Sequence, residues 1–354
     1  MKILIWDKDY TLKNVGGPTG YMHNLHEYLK NNKDNEIAFY SDLMNGNNDK
    51  KKVNKSIFRK AFSGLIKRFR FLDLLASLKV YYAHKNLDSK DLSLLERYDY
   101  VHLHSMFQFS TYFSYDKRTT KVILTIHYPE PPIDETFSSY GYKWILDIFP
   151  FLRNYFIKRE ICILKKADYM MFPVKEAIEA YTSSSKLYKL FFQQSKDTFF
   201  YVPSALFPSE KLNVEGSFSL SKYGVKKESL KLCFIGRHNV IKGYDRLKVL
   251  AKEIWRIFPD AYFIIGGTEA PLKRLNDPRW IELGWVNTNE VLEQVDAFIL
   301  PNKQTYFDLV LLEVLRQGKV CIISDTGGNK WFSQFNNRGI LLYENETPVS
   351  MFLM

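Results

Sequence analysis

Residues 230–247 read LKLCFIGRHNVIKGYDRL. An apolar run closes on Gly236, a polar and basic loop follows, and Lys242–Gly243 leads into apolar positions at helical spacing. Strand, loop and helix in that order form the opening unit of a parallel α/β sheet. The pattern continues downstream. Ala261–Ile265, Trp280–Leu283, Ala297–Leu300 and Val320–Ile323 read as strands, and Gly243–Arg256, Asn289–Val295 and Leu309–Arg316 as the intervening helices. Such alternation predicts right-handed crossovers and ligand loops at the carboxyl ends of the strands.

The first half of the chain follows the same grammar. Lys2–Trp6, Ile37–Tyr40, Tyr100–Leu103, Lys121–Ile126, Tyr169–Phe172 and Phe199–Val202 read as strands. Tyr21–Lys30 places Met22, Leu25, His26 and Leu29 on one helical face, and further helical material lies within Tyr142–Lys166. The polar stretch that follows Pro203 is punctuated by Pro and Gly and reads as a connection. The expected fold is α/β: two Rossmann-like domains at 1–203 and 230–354, joined by a linker at 204–229, with parallel sheets facing a central cleft. A length of 354 residues accommodates two cores.

The formal net charge of +11 points to an anionic partner. No zinc finger, RNP-like strand or helix-turn-helix signal supports nucleic acid. Cys162, Cys233 and Cys321 lie in apolar stretches without a Cys-x-x-Cys pair, so they read as buried free thiols in a reducing compartment. The amino terminus reads as a first strand, not a signal peptide. No apolar stretch approaches the ~20 residues needed to cross a bilayer.

Three motifs carry candidate chemistry. Gly16–Gly17 follows the first strand and precedes a helix, where bare backbone can approach a diphosphate; the bland reading is an ordinary flexible loop. Arg237 and Lys242, at a strand's carboxyl edge, can neutralise a departing diphosphate; otherwise they are a solvated basic loop. Glu313 sits in the apolar run LVLLEVL, where an unpaired glutamate needs donors that ligand hydroxyls would supply; the bland reading pairs it with a neighbouring basic group or turns it to solvent.

The pieces GRHNVIKG and YFDLVLLEVLRQGKVCIISDTGG, with their order and spacing, resemble the nucleotide-sugar-binding half of the GT4 family of retaining glycosyltransferases. GGPTGYMHNLHEYL resembles that family's glycine loop and helix; VHLHS and LTIHYPE resemble two of its strand ends. The resemblance implies a GT-B fold, an α-linked product from an α-linked donor, and no essential metal or cofactor. It implies that Arg237 and Lys242 hold the donor diphosphate. Glu313 would take the ribose hydroxyls. Gly16 and Gly17 would approach the diphosphate from the opposite domain, and His127 would sit beside the donor sugar and the reacting centre. Thr305, Phe307, Asp308 and Leu309 would complete the donor site. His102 and His104, on one side of a strand, are weaker candidates, and a histidine at a strand end is otherwise often structural.

The chain departs from the family at two places. Thr305 stands where the first of a pair of glutamates is usual, and the carboxyl end stops at NNRGILLYENETPVSMFLM, where the family normally adds helices. The expectation is a cytoplasmic glycosyltransferase building a bacterial surface polysaccharide of O-antigen or capsule type. It would take a nucleotide-diphosphate sugar as donor and an undecaprenyl-diphosphate-linked or other glycan acceptor. A nucleotide-sugar-processing enzyme such as an epimerase, or a non-catalytic sugar-nucleotide or glycan binder, are the alternatives. Residues 50–70 carry nine cations (Lys50, Lys51, Lys52, Lys55, Arg59, Lys60, Lys67, Arg68 and Arg70) and no acid. Phe58, Phe62, Leu65, Ile66 and Phe69 interleave with them at largely helical spacing, as in a peripheral helix on an anionic membrane or, alternatively, in a helix packed on its own domain.

Overall fold

A computed structural model describes residues 1–8, 10, 12, 17–32, 36–44, 70–82, 84–113, 120–207, 218–268, 271–336 and 338–344. Gly16, all of the basic segment except Arg70, and the last ten residues (345–354) lie outside the described residues. The chain divides into two compact units: Met1–Phe172 with Tyr181–Val202, and Pro203–Met354 with Pro173–Ala180.

The first unit holds a six-stranded sheet in the order β2-β1-β3-β4-β5-β6. Its strands are β1 (Ile3–Ile5), β2 (Ile37–Phe39), β3 (Tyr100–Leu103), β4 (Lys121–Thr125), β5 (Tyr169–Phe172) and β6 (Phe199–Tyr201), all parallel. Parallel strands covered on both faces need apolar side chains throughout. Leu4, Ile5 and Trp6, then Val101 and Leu103, then Val122, Leu124 and Ile126 meet that demand and are buried. The helices used below are α1 (Gly17–Asn32), α2 (Arg70–Leu78), α3 (Pro132–Tyr140), α4 (Lys143–Ile148), α5 (Pro150–Leu164) and α6 (Lys186–Gln194). The long helix read across the basic segment is α2 within the described residues, followed by a 3-10 turn at Lys79–Tyr82. Cys162 is exposed on α5, contrary to the expectation of three buried thiols, because it follows Lys158 by one turn on the solvent face; Cys233 and Cys321 are buried.

The second unit holds a six-stranded sheet in the order β12-β11-β10-β7-β8-β9. Its strands are β7 (Lys231–Ile235), β8 (Tyr262–Gly266), β9 (Trp280–Gly284), β10 (Ala297–Leu300), β11 (Val320–Ser324) and β12 (Ile340–Tyr343). All pair in parallel. Its helices are α7 (Tyr244–Ile257), α8 (Thr288–Glu293) and α9 (Leu309–Arg316). Counted from β7, the order is that of a dinucleotide-binding Rossmann sheet. Strand β12 and the 3-10 helix Gly327–Gln334 were not read from the sequence.

Two further joints shape this unit. Gln294 pins the end of the connecting segment: its Oε1 accepts from Leu220 N at 2.9 Å and its Nε2 donates to Phe218 O at 3.0 Å. Glu179, on the segment that leaves the first sheet after β5, accepts from Lys330 Nζ at 2.5 Å and Gly327 N at 3.3 Å. These bonds explain why Pro173–Ala180 clusters with the second unit.

A buried carboxylate joins four elements of the first unit. Glu160 on α5 is fully buried and accepts from Tyr81 Oη (2.8 Å), Tyr188 Oη of α6 (2.5 Å) and Ile133 N of α3 (2.7 Å). Burial raises its pKa from 4.5 to about 7, although all three donors favour the charged form. The folded chain therefore binds this proton more tightly than the unfolded chain, and this group's stabilisation is lost as pH rises from 4.5 to about 7. Glu160→Gln should flatten that fall in a plot of melting temperature against pH; an unchanged slope would assign it to other groups.

Candidate functional site

In an open parallel sheet, ligands bind beyond the carboxyl ends of the strands where the strand order reverses, because the two loops there diverge. The second sheet reverses between β7 and β10. The loop after β7 carries Arg237 and Lys242, and the loop after β10 runs from Pro301 to Asp308. The topology thus brings together the two motifs read from the sequence.

Glycine sets the distance between these loops. Gly243 has φ +68°, and a Cβ there would stand 1.7 Å from Pro301 O. Gly327 has φ +47°, and a Cβ would stand 2.1 Å from Thr305 O; at Gly328 it would stand 2.1 Å from Tyr306 O. The three loops after β7, β10 and β11 therefore touch backbone to backbone, and the DTGG motif has a packing reason for both glycines.

Lys242 sits inside this joint. Its backbone N donates to Asn239 Oδ1 at 2.8 Å, and its ammonium is ion-paired with Asp308. Asn302 Nδ2 donates to the other Asp308 oxygen at 2.6 Å. Burial disfavours the Asp308 charge, yet Lys242, then Asn302 and Thr305, outweigh it and hold the carboxyl below its ordinary range. The structure thus qualifies the reading of Lys242 as one of two cations ready for a diphosphate: Asp308 already balances its charge. Arg237 is exposed. Lys303 donates to Asp245 Oδ2 at 2.6 Å, so a second cation of the loop pair is also balanced.

Thr305 is fully buried beneath Gly327, while Tyr306 and Phe307 are almost so. Phe307 stacks on Phe332 at 5.7 Å, which gives it a packing role. Leu309 opens α9 and is half-buried. Glu313 is half-buried on α9. Burial raises its pKa, opposed by a hydrogen bond from Thr288 and by the Arg316 charge. Thr288 on α8 supplies one of the donors this carboxylate needs.

The first sheet reverses between β1 and β3. There His104 Nδ1 lies 2.9 Å from His127 Nε2, and His102 Nε2 lies 2.8 Å from Thr125 Oγ1. Tyr21 of α1 packs on His104 and His127 at 5.4 and 5.1 Å. His127 is thus joined to both weaker candidates in one cluster. Burial, then repulsion from His102, lowers His127 to about 3; burial alone lowers His102 to about 4. His104 is lowered by burial and by both neighbours. All three are neutral at pH 7. Among the described residues no set of three or more such side chains forms a metal site. Gly17 has φ +56° at the start of α1, with open space around it.

His104 Nε2 is buried with no hydrogen-bond partner. An orphaned buried N–H costs more than an unused lone pair, so that atom is unprotonated and Nδ1–H donates to His127 Nε2. His127 then carries its proton on Nδ1. The sequence signal for His104 was the alternation in VHLHS; nothing in it showed the bond to His127.

Residues 229–352 match the family model described as glycosyl transferases group 1, about a third of the chain. An uncharacterized 41.2 kDa protein in the cps region of Klebsiella pneumoniae is 25% identical over 232 residues, 63% of this chain and 59% of that protein. The chain is similar to the apo lipopolysaccharide outer core galactosyltransferase WaaB, at 15% identity and TM-score 0.49, covering 100% of this chain and 88% of that one. Sucrose-phosphate synthase from Thermosynechococcus elongatus gives 14% identity and TM-score 0.49 over 73% of this chain and 64% of that one.

Two expectations follow from the geometry. Gly243→Ala should destabilise the second unit by more than about 1 kcal/mol, because strain and collision add. Gly318→Ala, also at positive φ but with open space, should cost less in the same denaturant titration. NMR of the imidazole nitrogens should find His127 neutral above pH 5 with its proton on Nδ1. A proton on Nε2 would reverse the His104 bond.

Proposed function

We propose that this chain is a retaining glycosyltransferase of GT4 type with a GT-B arrangement, taking a nucleotide-diphosphate sugar as donor. The observation that carries the reading is the Lys242–Asp308 joint at the reversal point of the second sheet, within the residues that match group 1 glycosyl transferases. A loop pair at that position suits a nucleotide, and Arg237 and Lys242 on it are the cations a diphosphate would meet.

In the proposed reaction the bond between the sugar anomeric carbon and the phosphate oxygen breaks. A bond from that carbon to an acceptor hydroxyl oxygen forms on the same face. The acceptor proton passes to the released phosphate oxygen, and the departing diphosphate carries the electron pair. Arg237 and Lys242 stabilise its charge, Glu313 takes the ribose hydroxyls, and His127 stands beside the sugar with Gly17 at the diphosphate. Asp308, held ionised, provides the carboxylate that Thr305 does not, displaced by one turn's length of sequence. No metal or cofactor takes part.

The acceptor proposed is a glycan or a lipid-diphosphate-linked glycan, undecaprenyl-linked in type, used for bacterial surface polysaccharide on the cytoplasmic face of the membrane. The relative from a cps region supports that setting. A non-catalytic binder is the second reading, favoured by Thr305 and by the balanced charge of Lys242.

A panel of nucleotide sugars, read by thermal shift and product mass, tests the proposal. Transfer with retained anomeric configuration is the expected result. Arg237→Ala and Lys242→Ala should each lower it roughly 10²-fold, the loss of several kcal/mol of transition-state stabilisation. Free epimerised donor would indicate the epimerase alternative, and tight binding without turnover a non-catalytic protein. Near-normal transfer by both variants would remove the two cations from the site.

A further inference from the structure

The reaction proposed above uses His127 and leaves the two histidines behind it without a part. His102 and His104 are buried, while His127 is half-buried after β4. Several contacts hold His104 in place. Its carbonyl accepts from Tyr10 Oη at 2.9 Å, its ring lies 4.1 Å from that of His102, and Tyr21 packs on it at 5.4 Å. Directly after it, Ser105 Oγ accepts from Phe107 N at 3.2 Å and from Gln108 N at 3.4 Å, so the main chain turns at once into a short helix. A ring held in this way keeps its Nδ1 at 2.9 Å from His127 Nε2.

Hydrogen-bond accounting gives the pair a direction. Two neutral imidazoles offer one N–H and one lone pair each. Among the described residues His104 Nε2 has no partner, and a lone pair is the less costly group to leave there. His104 therefore donates from Nδ1, and His127 Nε2 uses its lone pair to accept. The N–H of His127 then stands on Nδ1, and the ring has no second lone pair.

We propose that His104 is a positioning residue that fixes His127 as a hydrogen-bond donor unable to take a proton from the acceptor. This role rests on the reading of His127 beside the reacting centre, and it names the chemistry His127 can meet there. Its partner is an oxygen lone pair, on a sugar hydroxyl, a sugar ring or a phosphate, and not a hydroxyl proton to be removed. Imidazoles at reacting centres commonly serve as general bases. Here the nitrogen that would accept the proton is already engaged, so the acceptor proton leaves by another route, the phosphate oxygen of the proposed reaction.

The full chain with isotopically labelled histidine nitrogens tests the role in the parent, His104→Asn and His104→Leu. Asparagine places an amide nitrogen near the position of Nδ1 and keeps a donor; leucine fills similar space without one. In the parent, a coupling across the bond should join His104 Nδ1 to His127 Nε2, with the proton on the His104 side. His127 should show both tautomers in His104→Leu and keep its proton on Nδ1 in His104→Asn. These spectra need no substrate. A proton on His127 Nε2 in the parent would overturn the role, and that measurement decides even where the leucine variant fails to fold. The same His127 tautomer in His104→Leu as in the parent would overturn it too.

Transfer supplies the second readout, with a nucleotide sugar that the parent uses. His104→Leu should lower kcat at least about tenfold, the effect of losing one well-placed hydrogen bond, and change the donor KM less. His104→Asn should recover most of that loss. At position 127 asparagine keeps an N–H near the place of Nδ1 and alanine keeps none, so His127→Asn should retain at least about tenfold more turnover than His127→Ala. Equal and complete loss in both would make His127 a base and overturn the assignment. No transfer by the parent with any donor would sink the transferase reading alone, with the tautomer still decided by the nitrogen spectra.

Discussion

The contact that the second unit depends on is backbone against backbone at the carboxyl edge of its sheet. Loops after parallel strands are free to splay, since nothing in the ladder of hydrogen bonds reaches them. Here Gly243 lies against Pro301, and Gly327 and Gly328 lie against Thr305 and Tyr306. With no side chains between them, three loops become one slab. Lys242 and Asp308 can then pair across two of those loops with little freedom lost on pairing, because the backbone has already fixed their separation. The pair in turn ties the start of α7 to the start of α9. Removal of either partner would leave a charge in a largely enclosed place, a large penalty for so small a change.

The first unit meets the same demand for order at its reversal point by different means. His102, His104 and His127 form a chain of rings on the ends of β3 and β4, with Tyr21 packed over two of them. Burial keeps the rings neutral, so their mutual repulsion is absent at pH 7 and they can share one hydrogen bond. Neutral, fixed imidazoles act as donors and acceptors of defined direction rather than as charges. The two edges therefore differ in kind: the second holds balanced charge, the first holds oriented dipoles.

The strands were legible because parallel sheets need continuous apolar runs, and the boundaries of Tyr100–Leu103, Tyr169–Phe172 and Ala297–Leu300 coincide with the sequence reading. Helix Leu309–Arg316 coincides as well, since Leu311 and Val314 fall on one face. Strand β12 was not legible. Its four residues stand at a sheet edge with none buried, between a Gly and a polar tail, so neither burial nor alternation marks them. The 3-10 helix at Gly327–Gln334 opens with two glycines, which read as a loop until the backbone contact behind them is seen. Nothing in the sequence sets Pro173–Ala180 apart, because its assignment rests on bonds from Glu179 to residues about 150 positions away.

The candidate site shows the same division between local and distant information. Arg237, Lys242 and Glu313 stand out locally, as cations at a loop or an acid in an apolar helix. The pairing of Lys242 with Asp308 spans 66 residues and depends on which strands are neighbours. Once β7 and β10 are adjacent, the Asp308 carboxylate stands inside the contact that orders the loop, while Thr305 is buried beneath Gly327. A ligand phosphate at this edge would have to share Lys242 with Asp308.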